Sequence, residues 1–230
     1  MNRIAGPFKQ EPFSHFRASP LGLVEKKMPG KFRLIHHLSY PPGDSINDGI
    51  SPEDAHVQYQ SIDHAVQQLQ QLGQGLFWSK TDIADAFHIV PLHPSQYRLF
   101  GFVWREQFDY DRCLPMGCSA SCKIFETRSN ALQWIASSKL HIRNISHVLD
   151  DFLLLARDKA VGQAQLSSFL SMCADIGIPI APDKTIQPSQ LISFFGLELE
   201  SVAMEMRLPV DKLNKCTALI ETCLKKDKIH

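Results

Sequence analysis

Two carboxylates stand side by side in the stretch HVLDDFLLLA (residues 147–156), where Asp150 and Asp151 interrupt apolar runs that read as short strands. Adjacent like charges at a point that the hydrophobic pattern wants to bury repel one another unless something compensates. Two readings account for the pair. Asp is a common turn former, so Asp-Asp can serve simply as the two-residue loop of a hairpin. Otherwise the pair is held on a tight turn to bind a divalent cation, which cancels the repulsion. A third carboxylate on a neighbouring strand favours the cation, and WSKTDIADAFHIVPL supplies one: Asp82 follows apolar and hydroxyl residues, with Asp85 and Phe87 shortly after it. If that strand lies beside the hairpin, three carboxylates form a hard oxygen site of the kind Mg²⁺ takes when substrate phosphates complete its shell. Two such ions roughly 3.5–4 Å apart stabilise both the attacking and the leaving oxygen in phosphoryl transfer.

The elements that must position these groups are legible from periodicity. Residues 77–83 read as a buried strand ending in carboxylates, and the hairpin around Asp150-Asp151 follows a long helix over 119–138, whose Phe125, Leu132, Ile135 and Ala136 suit one face. Ile62, Ala65, Val66, Leu69 and Leu72 are spaced as a helix over 61–72 that stops at Gly73. Leu166, Phe169, Leu170, Cys173 and Ile176 mark another helix, ended by Gly177. Strand pairs are expected over 21–27 with 31–38 and over 97–104 with 107–113, and further strands near 192–199 and 205–208. A last helix over 211–226 has Leu213, Cys216, Leu219, Ile220, Cys223 and Leu224 in phase. Residues 1–22 carry three prolines without periodicity and are expected to be an extended lead-in packed on the body. The order is mixed α+β, with an antiparallel sheet at the centre and helices on one face.

Composition excludes several classes. A chain of 230 residues can bury a sizeable core as one large domain or two lobes. Hydrophobic residues at 44% and charged residues at 21% describe a globular protein rather than a disordered one. No apolar run approaches the roughly 18 residues needed to span a bilayer, and the N-terminus lacks a signal-peptide core, so an intracellular protein without a membrane partner is expected. The six cysteines show no CxxC pair and read as reduced, mostly packed thiols rather than zinc ligands. Lys plus Arg equals Asp plus Glu at 24 each, so any nucleic-acid surface must be local. The densest basic stretch, VEKKMPGKFR, sets Lys26, Lys27, Lys31 and Arg33 around Pro29-Gly30, the pattern of a basic hairpin or of a solvated turn.

The succession KFRLIHHLSYPPGDSINDGI, KTDIADAFHIVPLHPSQYRLFGF, DRCLPMGCSASC, VLDDFLLLA, IPIAPDKT and FFGLELES resembles the fingers and palm of a reverse transcriptase. Its wording is most similar to the DIRS-like, tyrosine-recombinase group of retrotransposons, and the likeness runs from Gly6 to Pro209. It implies a right-hand polymerase: interleaved fingers and palm over 1–208, with the palm core near 75–90 and 110–200, and only the start of a thumb over 209–230. The implied activity is RNA-directed DNA polymerisation with two Mg²⁺ ions, or Mn²⁺, acting on dNTPs, an RNA template and a DNA primer or RNA–DNA hybrid. Thumb, RNase H and recombinase parts would lie elsewhere in a larger polyprotein.

The resemblance also implies roles for particular residues. Asp82 and Asp150 would be the main ligands of both ions, with Asp151 nearby and the Ile83 carbonyl as an extra ligand. Lys27 and Arg33 would clamp the triphosphate, with Lys26 competing for the place of Lys27, because a guanidinium grips phosphate oxygens bidentately and an ammonium acts as a point charge. Phe87 would lie under the incoming sugar and exclude a 2′-hydroxyl by bulk; without the motif it reads as a core Phe. Pro115, Met116 and Gly117 would shape the floor under the nascent base pair, where Met116 replaces the Gln of many retroviral relatives and so packs rather than hydrogen-bonds. Lys184 would protonate the leaving pyrophosphate, against the plainer reading of a solvated lysine. Phe195-Gly196 would lie in the hairpin that steadies the primer end, Gly allowing close backbone approach. Val148 departs from the family's Tyr-x-Asp-Asp. With the short chain it motivates an alternative, a decayed copy that keeps the fold and binds nucleic acid or a partner.

Overall fold

The computed structural model describes residues 3–25 and 30–224. In chain order, strands β1 (Ile4–Phe8), β2 (Leu21–Glu25) and β3 (Phe32–His36) precede a one-turn helix α1 (Pro52–Ala55) and helix α2 (Ile62–Leu72). Then come β4 (Phe77–Asp82), β5 (Gly101–Trp104), β6 (Gln107–Asp111), α3 (Ser121–Lys139), β7 (Ile145–Val148), β8 (Asp151–Ala156) and α4 (Lys159–Asp175). Strands β9 (Ile186–Ser189), β10 (Leu191–Phe194), β11 (Leu197–Glu200) and β12 (Glu205–Arg207) lead to helix α5 (Val210–Leu224). The chain forms two compact units, Met1–Tyr59 with Ile83–Ala131 and Gln60–Asp82 with Leu132–His230.

The second unit is built on an antiparallel sheet in the order β7-β8-β4-β9. Because side chains alternate across a strand, β4 and β8 each present two faces, and both are covered. On one face Trp78, Leu153 and Leu155 pack with Ala65 and Leu69 of α2 and with Ile192, Phe194 and Leu199 of β10 and β11. On the other, Phe152 meets Phe169 of α4 with ring centroids 5.1 Å apart. Burying Phe152 completely contributes about 2–3 kcal/mol. Gly162 is what lets α4 settle this closely, since a Cβ there would lie 3.2 Å from Pro188 and 3.4 Å from Ala156. The expectation of helices on one face is thereby corrected, as α2 and α4 cover opposite faces. Double-sided burial also explains why DFLLLA shows no alternation.

Residues 191–200 are two strands of a smaller antiparallel sheet, β10-β11-β12, rather than one, and they turn at Phe195-Gly196, where the resemblance implies a hairpin. The alternation of apolar residues changes phase at the Phe195-Gly196 turn, from Ile192 and Phe194 to Leu197 and Leu199. α2 is capped by the Ser61 hydroxyl, which accepts from the Asp63 N–H, and it ends at Gly73 as its spacing predicts. α5 forms where expected within the described residues, and its Leu213, Leu219, Ile220 and Leu224 are exposed.

The first unit holds a β1-β6-β5 sheet and the β2-β3 hairpin. The expected lead-in is partly a strand: β1 pairs with β6, with an irregularity between Ala5 and Phe8. The strand expected over 97–104 begins only at Gly101, because Pro94–Leu99 forms a 3-10 helix started by Pro94 and capped by His93, which accepts from the Ser95 N–H. Gly101 lies under the Phe16 ring, where a Cβ would come within 2.1 Å of the ring. Leu38, Phe100 and Cys118 form a buried cluster in this unit. All six cysteines are free. Among the described residues no helix is long and apolar enough to cross a membrane.

Candidate active site

The end of β4 and the β7-β8 hairpin bring the three carboxylates into one neighbourhood. Asp82 lies directly opposite Asp151 across β4 and β8, and Val148 lies opposite Asp151 across β7 and β8. The two-residue loop is therefore Leu149-Asp150, which corrects the reading of Asp-Asp as a simple loop: Asp150 occupies the turn and Asp151 is already strand. Leu149 adopts a left-handed φ of 54°, a conformation that costs a side-chain-bearing residue about 1–2 kcal/mol. Buried polar groups hold the hairpin in place. The His147 N–H donates to Gln60 Oε1 at 3.1 Å, and His147 Nδ1 lies 2.5 Å from Gln133 Oε1. The Gln133 amide in turn donates to the Ile145 carbonyl at 2.9 Å. Since Gln133 Oε1 can only accept, Nδ1 of His147 carries the proton. Burial depresses the His147 pKa to about 4, so its ring is neutral at physiological pH.

Asp82 is only 5% exposed. Burial, reinforced by the charges of Asp150 and Asp151, pushes its carboxyl up to about 6, against the opposing pull of Lys184. Burial likewise raises the Asp150 pKa, and the Asp151 charge adds to it. Lys184 grips Asp82 with both oxygens in reach, at 2.8 and 2.9 Å. Burial works against its ammonium, yet the hydrogen bond to Asp82 and the charges of all three carboxylates hold the Lys184 pKa above the ordinary lysine value. The backbone places this lysine: a 3-10 turn over Pro182–Lys184 is tied down by the Ala181 N–H donating to the Asp82 carbonyl at 2.9 Å. The hydroxyls of Thr81 and Thr185 meet at 3.0 Å. Asp151 has its own cation, Lys80, whose Nζ lies 3.1 Å from Oδ1.

The donor chemistry fits a divalent cation. Among the described residues no three carboxylate, imidazole or thiol groups are drawn into a ready ligand shell. The hard oxygens nevertheless stand at one sheet end, and two ammonium groups already lie against Asp82 and Asp151, as cations stand where charge must be neutralised. A metal would exchange for ammonium.

The remaining sequence-predicted residues are placed as follows. Phe195 and Gly196 form the two-residue turn between β10 and β11, with left-handed φ values of 49° and 78°. The Phe195 ring is exposed, and the Gly196 carbonyl accepts from Lys212 Nζ at 2.7 Å. Ile83, Phe87, Met116 and Arg33 belong to the first unit. Ile83 is buried. Phe87 sits half-buried on a 3-10 turn, edge-on to Phe125 with centroids 5.6 Å apart. Met116 lines a cavity of about 220 Å³ with His36, Phe102 and Asp111, and its carbonyl accepts from the His36 N–H at 2.8 Å. Gly117 beside it has a φ of +124°, and a Cβ there would fall 1.9 Å from the His36 carbonyl oxygen, so only glycine fits. Arg33 projects from β3, exposed, opposite Val24. Lys27 and its competitor Lys26 lie outside the described residues. Asp85 is ion-paired with Arg3 at 2.7 Å.

Residues 24–199 match the reverse transcriptase (RNA-dependent DNA polymerase) family. The chain belongs to the reverse transcriptase family. Over 208 residues it is 28% identical to the Gag-Pro-Pol polyprotein of squirrel monkey retrovirus, covering 82% of this chain and 10% of that polyprotein. Over 218 residues it is 23% identical to the Gag-Pro-Pol polyprotein of Mason-Pfizer monkey virus, covering 87% and 11%. Among solved structures, the foamy viral protease-reverse transcriptase in complex with dsDNA superposes with a TM-score of 0.69 at 17% identity, over 86% of this chain and 38% of that one. The same protein in complex with RNA/DNA hybrid gives 0.70 at 15% identity, over 93% and 26%. The chain thus spans about a tenth of the polyproteins it matches. The fold is the α+β fingers and palm of a right-hand polymerase.

Four residues around this candidate site are given no role by the sequence motifs. Gln60, Gln133 and His147 are separated in sequence and meet only through the fold. Lys80 had a visible signal: it lies two positions before Asp82, hence on the same strand face, where the neighbouring position in that direction is the core Trp78.

Proposed function

We propose that the chain is the fingers-and-palm core of an RNA-directed DNA polymerase that adds dNTPs to a primer 3′-hydroxyl. The observation that carries this reading is the pairing of buried Asp82 with Asp151 across β4 and β8, beside Asp150 in the turn. Interleaved fingers and palm would occupy 1–208, and 209–230 would open a thumb. Asp82, Asp150 and Asp151, with the Ile83 carbonyl, would hold Mg²⁺ or Mn²⁺. A metal bound there supplies Lewis acidity to the hydroxyl and the triphosphate.

The chain's own residues do the rest. Lys184, whose pKa is held above the ordinary lysine value, keeps its proton at neutral pH and would give it to the leaving pyrophosphate. Arg33, with Lys27, clamps phosphate oxygens. Phe87 stiffens against Phe125 and selects a deoxyribose by bulk. Met116, backed by Gly117, packs under the nascent pair. Phe195 and Gly196 present a rigid turn to the primer end. The partners are an RNA template and a DNA primer or hybrid, recognised by shape and phosphate contacts rather than by sequence. The motif wording further supports an origin in a DIRS-like retrotransposon, with RNase H and recombinase parts in the larger polyprotein. Val148 is one of the grounds for the alternative of a decayed copy. That residue is half-buried against the Trp78 core and keeps its pairing with Asp151, and no observation favours the alternative.

The test is template-directed incorporation. Poly(rA)·oligo(dT) should be extended with dTTP alone, and poly(rC)·oligo(dG) with dGTP alone, each only with Mg²⁺ or Mn²⁺ present. Incorporation without regard to template, or none with a protein that is folded and binds the hybrid, would overturn the proposal.

A further inference from the structure

Lys80 is a charged residue at a place where the strand pattern calls for an apolar one. It lies in β4, flanked on both sides by β8 and β9, opposite Leu153 and Ile186. Its side chain shares a face with Trp78 and Asp82 and is only 17% exposed. Lysine is seldom buried to this extent, and an apolar residue of similar volume would pack the site at lower cost. Its two partners explain the choice of residue. Nζ is 3.1 Å from Asp151 Oδ1 and 5.8 Å from the centre of the Phe194 ring, where the ring's negative face favours a cation. Phe194 ends β10, immediately before the Phe195-Gly196 turn. One ammonium therefore joins the carboxylate of the catalytic hairpin to the strand that carries the primer-end turn.

We infer that Lys80 is a positioning residue that holds Asp151 through its ammonium, competes with divalent metal for that carboxylate and so sets how tightly the site takes metal. The inference rests on the metal reading of Asp82, Asp150 and Asp151 given above and gives a role to a residue that this reading leaves without one. Lys184 does not duplicate this role, because it engages Asp82 and is largely solvent-exposed, whereas Lys80 is enclosed and fixed by its strand. Two consequences follow. With Lys80 in place, Oδ1 of Asp151 is engaged by an ammonium that metal must displace. Loss of the ammonium frees Asp151 and makes the cluster more negative, so the metal-free protein should bind divalent ions more tightly.

The experiment is a titration of Mn²⁺ into the 230-residue protein, with free Mn²⁺ read by electron paramagnetic resonance. The variants are Lys80→Met, Lys80→Gln and Lys80→Arg, each alone and with Asp151→Asn. Lys80→Met keeps the apolar stem over Phe194 and removes only the charge, and Lys80→Gln is read beside it so that the folding of one variant does not decide the result. Removing a unit charge this close to the metal predicts binding about tenfold tighter in both. Lys80→Arg should keep the parent affinity, and in the Asp151→Asn background the gain from Lys80→Met should largely vanish. Equal or weaker binding by folded Lys80→Met and Lys80→Gln would overturn the inference while leaving the metal reading intact. So would a gain that persists in full without Asp151. Failure of the parent protein to bind Mn²⁺ would contradict the metal reading, and the inference with it.

Discussion

Replacing Lys184 with Met isolates the electrostatic logic of the site. In the parent protein Asp82 is pushed up to about 6 from 3.8, chiefly by burial. Between these values the folded chain keeps a proton that the unfolded chain has lost. Stability from this group is therefore complete below pH 4 and is lost as pH rises through 6. The full change is about 3 kcal/mol at 1.4 kcal/mol per tenfold shift in proton affinity. Lys184 limits this loss, because its hydrogen bonds at 2.8 and 2.9 Å favour the ionised carboxylate. Removing one partner of a fully buried pair costs about 3–5 kcal/mol. Since the Lys184 side chain is 55% exposed, solvent screening reduces the expected cost to about 1–2 kcal/mol at pH 8. At pH 4.5 Asp82 holds its proton, the ammonium has little to pair with, and the variant should lie within about 0.5 kcal/mol of the parent. The assay is urea unfolding of both proteins at the two pH values with EDTA present, read as the difference between them so that other titrating groups cancel. An equal difference at both pH values, or a larger one at pH 4.5, would refute the reasoning.

Three further outcomes are expected. Gly117→Ala should destabilise the protein by about 3 kcal/mol or more, because φ is +124° and the new Cβ would meet the His36 carbonyl oxygen at 1.9 Å; an unchanged melting temperature would contradict the close approach. Phe87→Ala should raise ribonucleotide relative to deoxyribonucleotide incorporation about tenfold or more, and an unchanged ratio would leave Phe87 as a core residue packed on Phe125. Val148→Tyr should cost about 1–3 kcal/mol by overfilling the space beside Trp78 and Leu153, without raising primer extension; a gain in extension would show that Val148 is a damaging departure.

What was legible in the sequence followed from local physics. α2 obeys helical spacing, a serine cap and a glycine stop, and each signal agrees with the others. The Asp82 strand and the Asp150-Asp151 hairpin were visible because charge at the end of an apolar run is unusual. Their convergence was expected only if the two elements paired, and the register of Asp82 with Asp151 meets that condition. The misses arose where periodicity carries no information. Pro94 starts a 3-10 helix inside what reads as a strand, and the unalternating apolar run of β8 carries no sign of which helix covers which face of the central sheet. The polar support of the hairpin by Gln60 and Gln133 depends on residues distant in sequence, so no window could contain it.

The most direct measurement of the central claim is primer extension on poly(rA)·oligo(dT) with dTTP and Mn²⁺ or Mg²⁺ at low salt, comparing the parent protein with Asp150→Asn at matched hybrid binding and matched thermal stability. The account predicts extension by the parent and its loss in the variant, because Asn removes a metal-binding charge from the turn while leaving the β7-β8 pairing in place. Equal extension by the two proteins would contradict the assignment of this carboxylate cluster as the polymerase centre.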